Sequence, residues 1–270
     1  MIKGRDIVVV GIQAWDIEIG SNCKNIAAKF ARHNRVIYVN PPLDRITLKR
    51  EKNSEKIQKR LKIKNGKEPD LVKVGPNLWN LYPKTMIESI NWMSSHSLFK
   101  ILNKRNSRFF ANDIQSAVSR LNFKNIILFN DSSMFLGLHL KSFLKPEVYA
   151  YYMRDYLIKV PYWKKHGEQI EPQLIKDADV IVNNSTLYTE YGSEYNPNSF
   201  MVGQGCDVSL FNDENNAIKI PDEFQKIPKP VIGYVGYLTS MRLDIELLEF
   251  MANQRKDWSI VLVGPEDDDF

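Results

Sequence analysis

The stretch that decides the fold is VVVGIQAWDIEIGSNCKNIAAKF, residues 8–30. An apolar, largely β-branched run ends at Gly11, and a polar turn follows. Ser21-Asn22 then opens a segment whose Ile26, Ala27, Phe30 and Ala31 recur at helical spacing. A strand passing through a turn into a helix is the repeating unit of α/β proteins. The turn itself is not that of a dinucleotide site. GIQAWD stands where G-x-G-x-x-G would lie, and the second apolar run ends in Asn40 instead of an acidic ribose ligand. There is no P-loop either. The sequence therefore argues against nicotinamide redox chemistry.

The same alternation extends outward. Runs of strand length recur at DIVVVGI (6–12), RVIYVN (35–40), NIILFN (125–130), EVYAYYM (147–153), DVIVNN (179–184) and SFMVG (199–203). Segments with helical spacing, such as SMFLGLHLKSFL, lie between most of them. Buried strands alternating with helices predict a mostly parallel sheet covered on both faces. Residues 1–210 read as one domain. FNDENNAIKIPDEFQKIPKP, 211–230, is polar and carries prolines, as a linker does. From 231 to 270, VIGYVGYL, DIELLEFMANQ and WSIVLVG read as a fresh strand, helix and strand. One such unit of about 40 residues cannot enclose a core, so the second domain is expected to be incomplete.

The 270 residues carry 37 Lys and Arg against 32 Asp and Glu, a net charge of +5 that mildly favours anionic partners. The two cysteines, Cys23 and Cys206, have no metal-type spacing and suggest no disulfide framework. No signal peptide and no apolar run of membrane-spanning length is seen, so the expectation is a cytoplasmic protein, soluble or peripheral at the inner face of the plasma membrane. Residues 49–67, KREKNSEKIQKRLKIKNGK, read either as a solvated helix or flexible insertion, or as a segment attracted to an anionic membrane surface. Residues 86–110 could assist as an interfacial helix, with Trp92, Met93, Leu98, Phe99, Ile101 and Leu102 set beside basic residues. Nucleic-acid binding lacks the interleaved aromatics it would need.

Ligands of open α/β sheets sit beyond the carboxyl ends of the strands. Candidate chemistry therefore falls in the loops after each run. Gly20, Ser21 and Asn22 can cap the following helix or offer its N-terminus to phosphate. Trp15 and Asp16 suit a sugar, the ring for its face and the carboxylate for its hydroxyls. Asn130 and Asp131, and Arg154 and Asp155, stand at two other strand ends, either as structural pairs or as substrate contacts. The acidic clusters EDDDF and DAD resemble a D-x-D metal motif but stand at a chain end and at a helix-strand junction. The four histidines lack ligand spacing, so no metal is expected. GQGCD is not a nucleophile elbow, because Ser is missing from its centre.

DADVIVNNSTLYTEYGSEYNPNSFMVGQGCDVSLF resembles a passage of the GT-B glycosyltransferases, notably the retaining family 4 and its relatives. Gly205, Cys206, Asp207 and Phe211 match its closing pattern, with cysteine in place of the usual valine. KPVIGYVGYLTSMRLDIELLEFMANQRKDWSIVLVGP looks like the first βαβ of that family's C-terminal domain. The opening loop and NPPLD resemble the N-terminal domain of a bacterial subgroup that builds cell-surface polysaccharides. The resemblance implies a complete N-terminal Rossmann-like domain on the acceptor side, followed by the start of a nucleotide-sugar-binding domain facing it across a cleft. It also implies transfer from a nucleotide-sugar donor to a lipid-linked or polysaccharide acceptor, with no cofactor and no metal.

Carried over residue by residue, Gly236, Thr239, Ser240 and Arg242 would bind the donor diphosphate. Asp16, Asn130, Asp131 and Asp155, with Trp15 and Arg154, would contact the acceptor. Asp155 is the one candidate for a proton-accepting role, although in a retaining reaction the leaving phosphate can take the proton. The acidic pair that binds donor sugar and ribose in the family would lie beyond Phe270. The 270-residue form is therefore expected to turn over donor poorly, and transfer at the rate of a form extended by a full C-terminal domain would refute that. Two other readings are a non-catalytic binding domain of the same fold and a different Rossmann-like sugar-nucleotide enzyme.

Overall fold

The computed structural model describes residues 2–17, 20–205, 219–268 and 270. The chain divides into two compact units, Met1–Gly205 and Cys206–Phe270. In the first unit, β1 (Asp6–Gly11) leads through α1 (Asn22–Phe30) to β2 (Arg35–Val39). Next come β3 (Leu43–Asp44), α2 (Arg45–Arg50), α3 (Glu55–Lys64), β4 (Leu71–Gly75), β5 (Leu78–Leu81) and β6 (Met86–Ile87). The long helix α4 (His96–Arg120) precedes β7 (Ile127–Asp131), α5 (Met134–Gly137), α6 (Leu140–Leu144) and β8 (Val148–Met153). The unit closes with α7 (Pro161–Asp177), β9 (Val180–Asn183), α8 (Thr186–Ser193) and β10 (Ser199–Met201).

Eight strands form one sheet in the order β10-β9-β8-β7-β1-β2-β5-β4, parallel throughout except for the β4–β5 hairpin at one edge. The central strands are apolar on both faces because both are covered. Val8 and Val10 of β1 join Ile37, Val39, Leu128, Tyr149 and Tyr151 in the larger core cluster. Ile7 and Val9 face the other way and pack with Cys23 and Ala27 of α1. The expected parallel α/β sheet is thus the one observed.

Two elements differ from expectation. The β4–β5 hairpin was not foreseen, since Gly75-Pro76-Asn77 interrupts its apolar pattern and its outer strand is only half-buried. The segment SMFLGLHLKSFL divides into α5 and α6 instead of running as one helix. At the break the Gly137 carbonyl accepts a hydrogen bond from the Tyr149 hydroxyl at 2.8 Å, and a Cβ on Gly137 would stand 2.2 Å from Asn130 Nδ2.

Residues 49–67 are no loose insertion. Ile57 and Ile63 of α3 are buried, and Arg60 donates to the Pro41 carbonyl at 2.9 Å and to Asp16 at 3.2 Å. Within 86–110 the helix begins at His96, with Phe99 buried while Leu98 and Ile101 stay exposed. Among the described residues, no helix is long and apolar enough to cross a membrane.

In the second unit, α9 (Asp222–Gln225) precedes β11 (Val231–Val235), α10 (Ile245–Gln254) and β12 (Ser259–Val263). The two strands pair in parallel across the α10 crossover, a single βαβ. Cys206, Asp207 and Phe211, together with the linker as far as residue 218, lie outside the described residues.

Candidate functional site

The sheet order places the switch point between β1 and β7. The chain leaves β1 for β2 on one side, whereas β7 sits on the other. Successive crossovers therefore run apart there, and a crevice opens at the carboxyl ends. Gly11 ends β1 directly opposite Asp131 of β7. A Cβ on Gly11 would lie 2.8 Å from Cys23 Sγ and 3.6 Å from Asp131 Cβ. The glycine lets α1 and β7 close on the strand end. Gly11→Ala is expected to destabilise the protein by about 1–3 kcal/mol through overpacking, measured by urea denaturation. Adding Cys23→Ala should recover most of that loss, and no recovery would place the strain elsewhere.

Around Gly11 the polar groups form one connected cluster. Asp131 is fully buried and accepts from Arg154 Nε at 2.7 Å. The same guanidinium reaches Gln13 Oε1 at 3.3 Å and Asp155 at 3.1 Å. Ser21 caps α1 through the Lys24 N–H and donates its own hydroxyl to Gln13 Oε1. Asn22 donates to the Tyr152 hydroxyl at 3.2 Å, and Asn184 donates to the Arg154 carbonyl at 3.0 Å. Burial pushes the Asp131 carboxyl above the ordinary carboxylate value although Arg154 opposes it. Burial alone would lower the Arg154 guanidinium, but Asp131 beside it more than offsets this and holds it above its usual value. Burial, with the Asp131 charge nearby, also pushes the Cys23 thiol well up, so Cys23 packs as a neutral thiol.

The candidate residues separate into groups. Ser21, Asn22, Asp131, Arg154 and Asp155 come together at the switch point. Gly20 is exposed beside them, and a Cβ there would meet nothing within 4 Å. Asn130 does not join them as an open contact. It is buried, its amide donates to the Tyr149 hydroxyl at 2.8 Å, and its carbonyl accepts from the Ser133 N–H at 2.9 Å. Its polar groups hold the turn into α5.

Trp15 and Asp16 lie toward β2. Trp15 stands edge-on to Tyr38 at 5.1 Å, its N–H donates to Asn40, and Asp16 pairs with Arg60. One Asp16 oxygen, Oδ2, is buried without a partner. Gly236, Thr239, Ser240 and Arg242 follow β11 in the second unit, where the Thr239 carbonyl accepts from the Arg242 N–H at 3.0 Å. Among the described residues, no three His, Cys, Asp or Glu converge as metal ligands would. Gln13 falls in the loop after β1 where the sequence places candidate chemistry, and Cys23 is weighed there only for metal and disulfide chemistry. Arg60 of α3 escaped the sequence reading, because its pairing with Asp16 spans 44 residues.

The first unit also holds a cavity of about 670 Å³. Its floor reaches Gly11, Ile12 and Ser133 at the carboxyl ends of β1 and β7, and Pro41 and Pro42 beyond β2. Phe99, Phe110, Phe135 and Trp163 give it an aromatic wall. Among its polar groups is Asp44, which accepts from the Ile46 and Thr47 N–H groups and from Ser89 Oγ. Burial alone would raise the Asp44 carboxyl, but these bonds hold it below its ordinary value. It is an anchored acceptor, poorly suited to take a proton. A chamber with an aromatic wall and fixed polar groups at the end of a sheet is a usual place for a small-molecule site.

No protein-family model matches the sequence, and no curated protein matches it. Solved structures do resemble the fold. Trehalose-6-phosphate synthase OtsA matches with a TM-score of 0.56 and 12% identity over 98% of this chain and 66% of its own. The catalytic domain of starch synthase IV from Arabidopsis thaliana, bound to ADP and acarbose, gives 0.55 and 8% over 98% and 69%. Anabaena HepE, in complex with UDP and glucose, gives 0.54 and 10% over 98% and 62%. The chain thus spans about two thirds of the length of these structures. At such identities the likeness is one of fold. The fold is of the GT-B type, with a Rossmann-like parallel sheet in the first unit and one βαβ in the second.

Proposed function

We propose that the protein transfers a sugar from a nucleotide-sugar donor to a lipid-linked or glycan acceptor, with retention, in the building of a cell-surface glycan. The observation that carries this reading is the apolar cavity at the carboxyl edge of the first sheet, in a fold shared with sugar-nucleotide transferases. The acceptor hydroxyl forms the new bond to the anomeric carbon as the bond to the diphosphate breaks. The diphosphate leaves with the electron pair and takes the acceptor proton, so Asp155 is not needed as a base. Arg242 and the N–H groups of Gly236, Thr239 and Ser240 are assigned to the departing charge, which guanidinium and backbone donors stabilise without a metal. Gly20, Ser21 and Asn22 offer a second helix end to phosphate. The basic charge of residues 49–67 favours an anionic membrane surface, with Arg50 at the cavity.

Thermal denaturation with UDP-, GDP-, dTDP- and ADP-linked sugars tests the reading. One nucleotide class is expected to stabilise the protein by about 2.7 kcal/mol when supplied at roughly a hundredfold its Kd. Stabilisation by NAD alone, or by none of these compounds in a form extended by a full C-terminal domain, overturns it.

A further inference from the structure

The rim of the cavity carries three exposed apolar side chains from three different segments: Ile46 of α2 (40% exposed), Trp92 ahead of α4 (70%) and Tyr162 in the first turn of α7 (57%). The Trp92 indole is fixed by its own hydrogen bond, Nε1 donating to the Ser89 carbonyl at 2.8 Å. The Trp92 carbonyl accepts from Lys165 Nζ at 2.7 Å, and the Tyr162 carbonyl accepts from Asn91 at 2.6 Å. A fixed indole and an exposed phenol beside lysine and arginine match the residue types that settle at a membrane-water interface.

Charge points the same way. Of the two acids lining the cavity, Glu88 is bound by Arg45 at 2.7 Å, and Asp44 is saturated by hydrogen bonds. Arg50 and Lys165 line the same cavity and form no ion pair among the described residues. A neighbouring depression adds Lys49 and Lys52 around Leu48 and Leu61, with Arg45 there already paired to Glu88. The rim therefore presents apolar anchors inside a basic border, the complement of an anionic bilayer.

We propose that this rim docks on an anionic lipid bilayer, and that the acceptor is carried on a lipid whose apolar stem enters the cavity and leads its hydroxyl to the sheet edge at Gly11 and Ser133. The acceptor class rests on the glycosyltransferase reading; the docking does not. The membrane contact is thereby assigned to Ile46, Arg50, Trp92, Tyr162 and Lys165, not to the outward lysines of α3.

The full chain, without nucleotide sugar, is sedimented with phosphatidylcholine vesicles in which about a third of the lipid is phosphatidylglycerol. Binding is expected there and not on pure phosphatidylcholine. Trp92→Ala should weaken it roughly tenfold, and Arg50→Ala or Lys165→Ala about fivefold each. Lys62→Ala with Lys64→Ala on α3 should change it less than either. Brominated lipid should quench part of the wild-type tryptophan emission, and Trp92→Phe should reduce that quenching, leaving what Trp163 in the cavity contributes. All these side chains are exposed, and circular dichroism melts confirm folding. Absence of vesicle binding overturns the proposal. So does binding lost with the α3 pair but unchanged in Trp92→Ala, or a soluble oligosaccharide that shifts Trp92 emission saturably. Donor binding is read separately by thermal shift. Vesicle binding with no donor binding even in a form extended by a full C-terminal domain would sink the transferase reading and leave the docking, and donor binding without vesicle binding would do the reverse.

Discussion

Replacing Asp131 by alanine is expected to cost about 3–5 kcal/mol, the range for breaking a buried ion pair from one side. Asp131 is fully buried, and Arg154 is only 13% exposed. The variant would leave the guanidinium facing Gln13 and the half-exposed Asp155 alone. Arginine cannot escape by deprotonating, so the loss should persist across the pH range. Arg154→Met poses the opposite case, because an orphaned carboxyl can take up a proton. Burial already raises the Asp131 carboxyl in the folded state, and removing the cation raises it further. Its folded value then lies above its unfolded one. The stability that depends on it is fully present below the unfolded value and is lost as pH rises through the folded one. Arg154→Met should therefore be mild near pH 4 and severe near pH 8. Asp131→Leu combined with Arg154→Met should recover much of either single loss. Urea denaturation across that range tests both claims, and parallel pH profiles for the two single variants would mean that water already reaches the pair.

That pair also marks the limit of what the sequence discloses. The strands β1, β2, β7 and β8 are legible because burial on both faces demands unbroken apolar runs, and Ser21 is legible as a cap because it immediately precedes a helical period. Arg154 was grouped with its neighbour Asp155. Its closest partner is instead Asp131, 23 residues earlier, because the β7–β8 register sets Asp131 beside Tyr152, two residues short of Arg154. Register in a parallel sheet is a property of the assembled core, and no local pattern records it. The cavity is more hidden still. Its walls come from the ends of β1, β2 and β7 and from α2, α4, α5 and α7, and each contributing residue reads locally as ordinary core or surface. Trp92 could be singled out as aromatic beside basic residues, but only the fold sets it on the same rim as Ile46 and Tyr162. Asn130 shows the converse. A polar residue at a strand end invites a ligand role, yet the turn behind it uses its hydrogen-bonding groups.

At pH 8, Glu171→Gln is expected to be more stable than the wild type by up to roughly 3 kcal/mol. Glu171 lies on α7 and is buried against β8, where Tyr151 donates to its Oε1 at 2.8 Å while Oε2 closes no hydrogen bond. Burial pushes its carboxyl from the ordinary 4.5 up to about 7, and the hydroxyls of Tyr151 and Tyr191 offset only part of that cost. Below pH 4.5 the group is protonated in both the folded and unfolded chain and carries no penalty. Between 4.5 and about 7 the unfolded chain releases the proton and the folded one keeps it, so stability falls as pH rises. Above 7 the folded protein holds a buried carboxylate, and the penalty is complete. Glutamine keeps an acceptor for Tyr151 at nearly the same volume and has nothing to titrate. Melting temperatures of the two proteins should coincide near pH 4 and separate progressively toward pH 8, whereas curves that stay parallel would mean the carboxyl is hydrated. The consequence reaches the site, because α7 starts at the cavity with Pro161, Tyr162 and Trp163 and β8 is followed directly by Arg154. Near neutral pH, ionisation of Glu171 is expected to weaken the packing of α7 on β8, the strand that Arg154 follows.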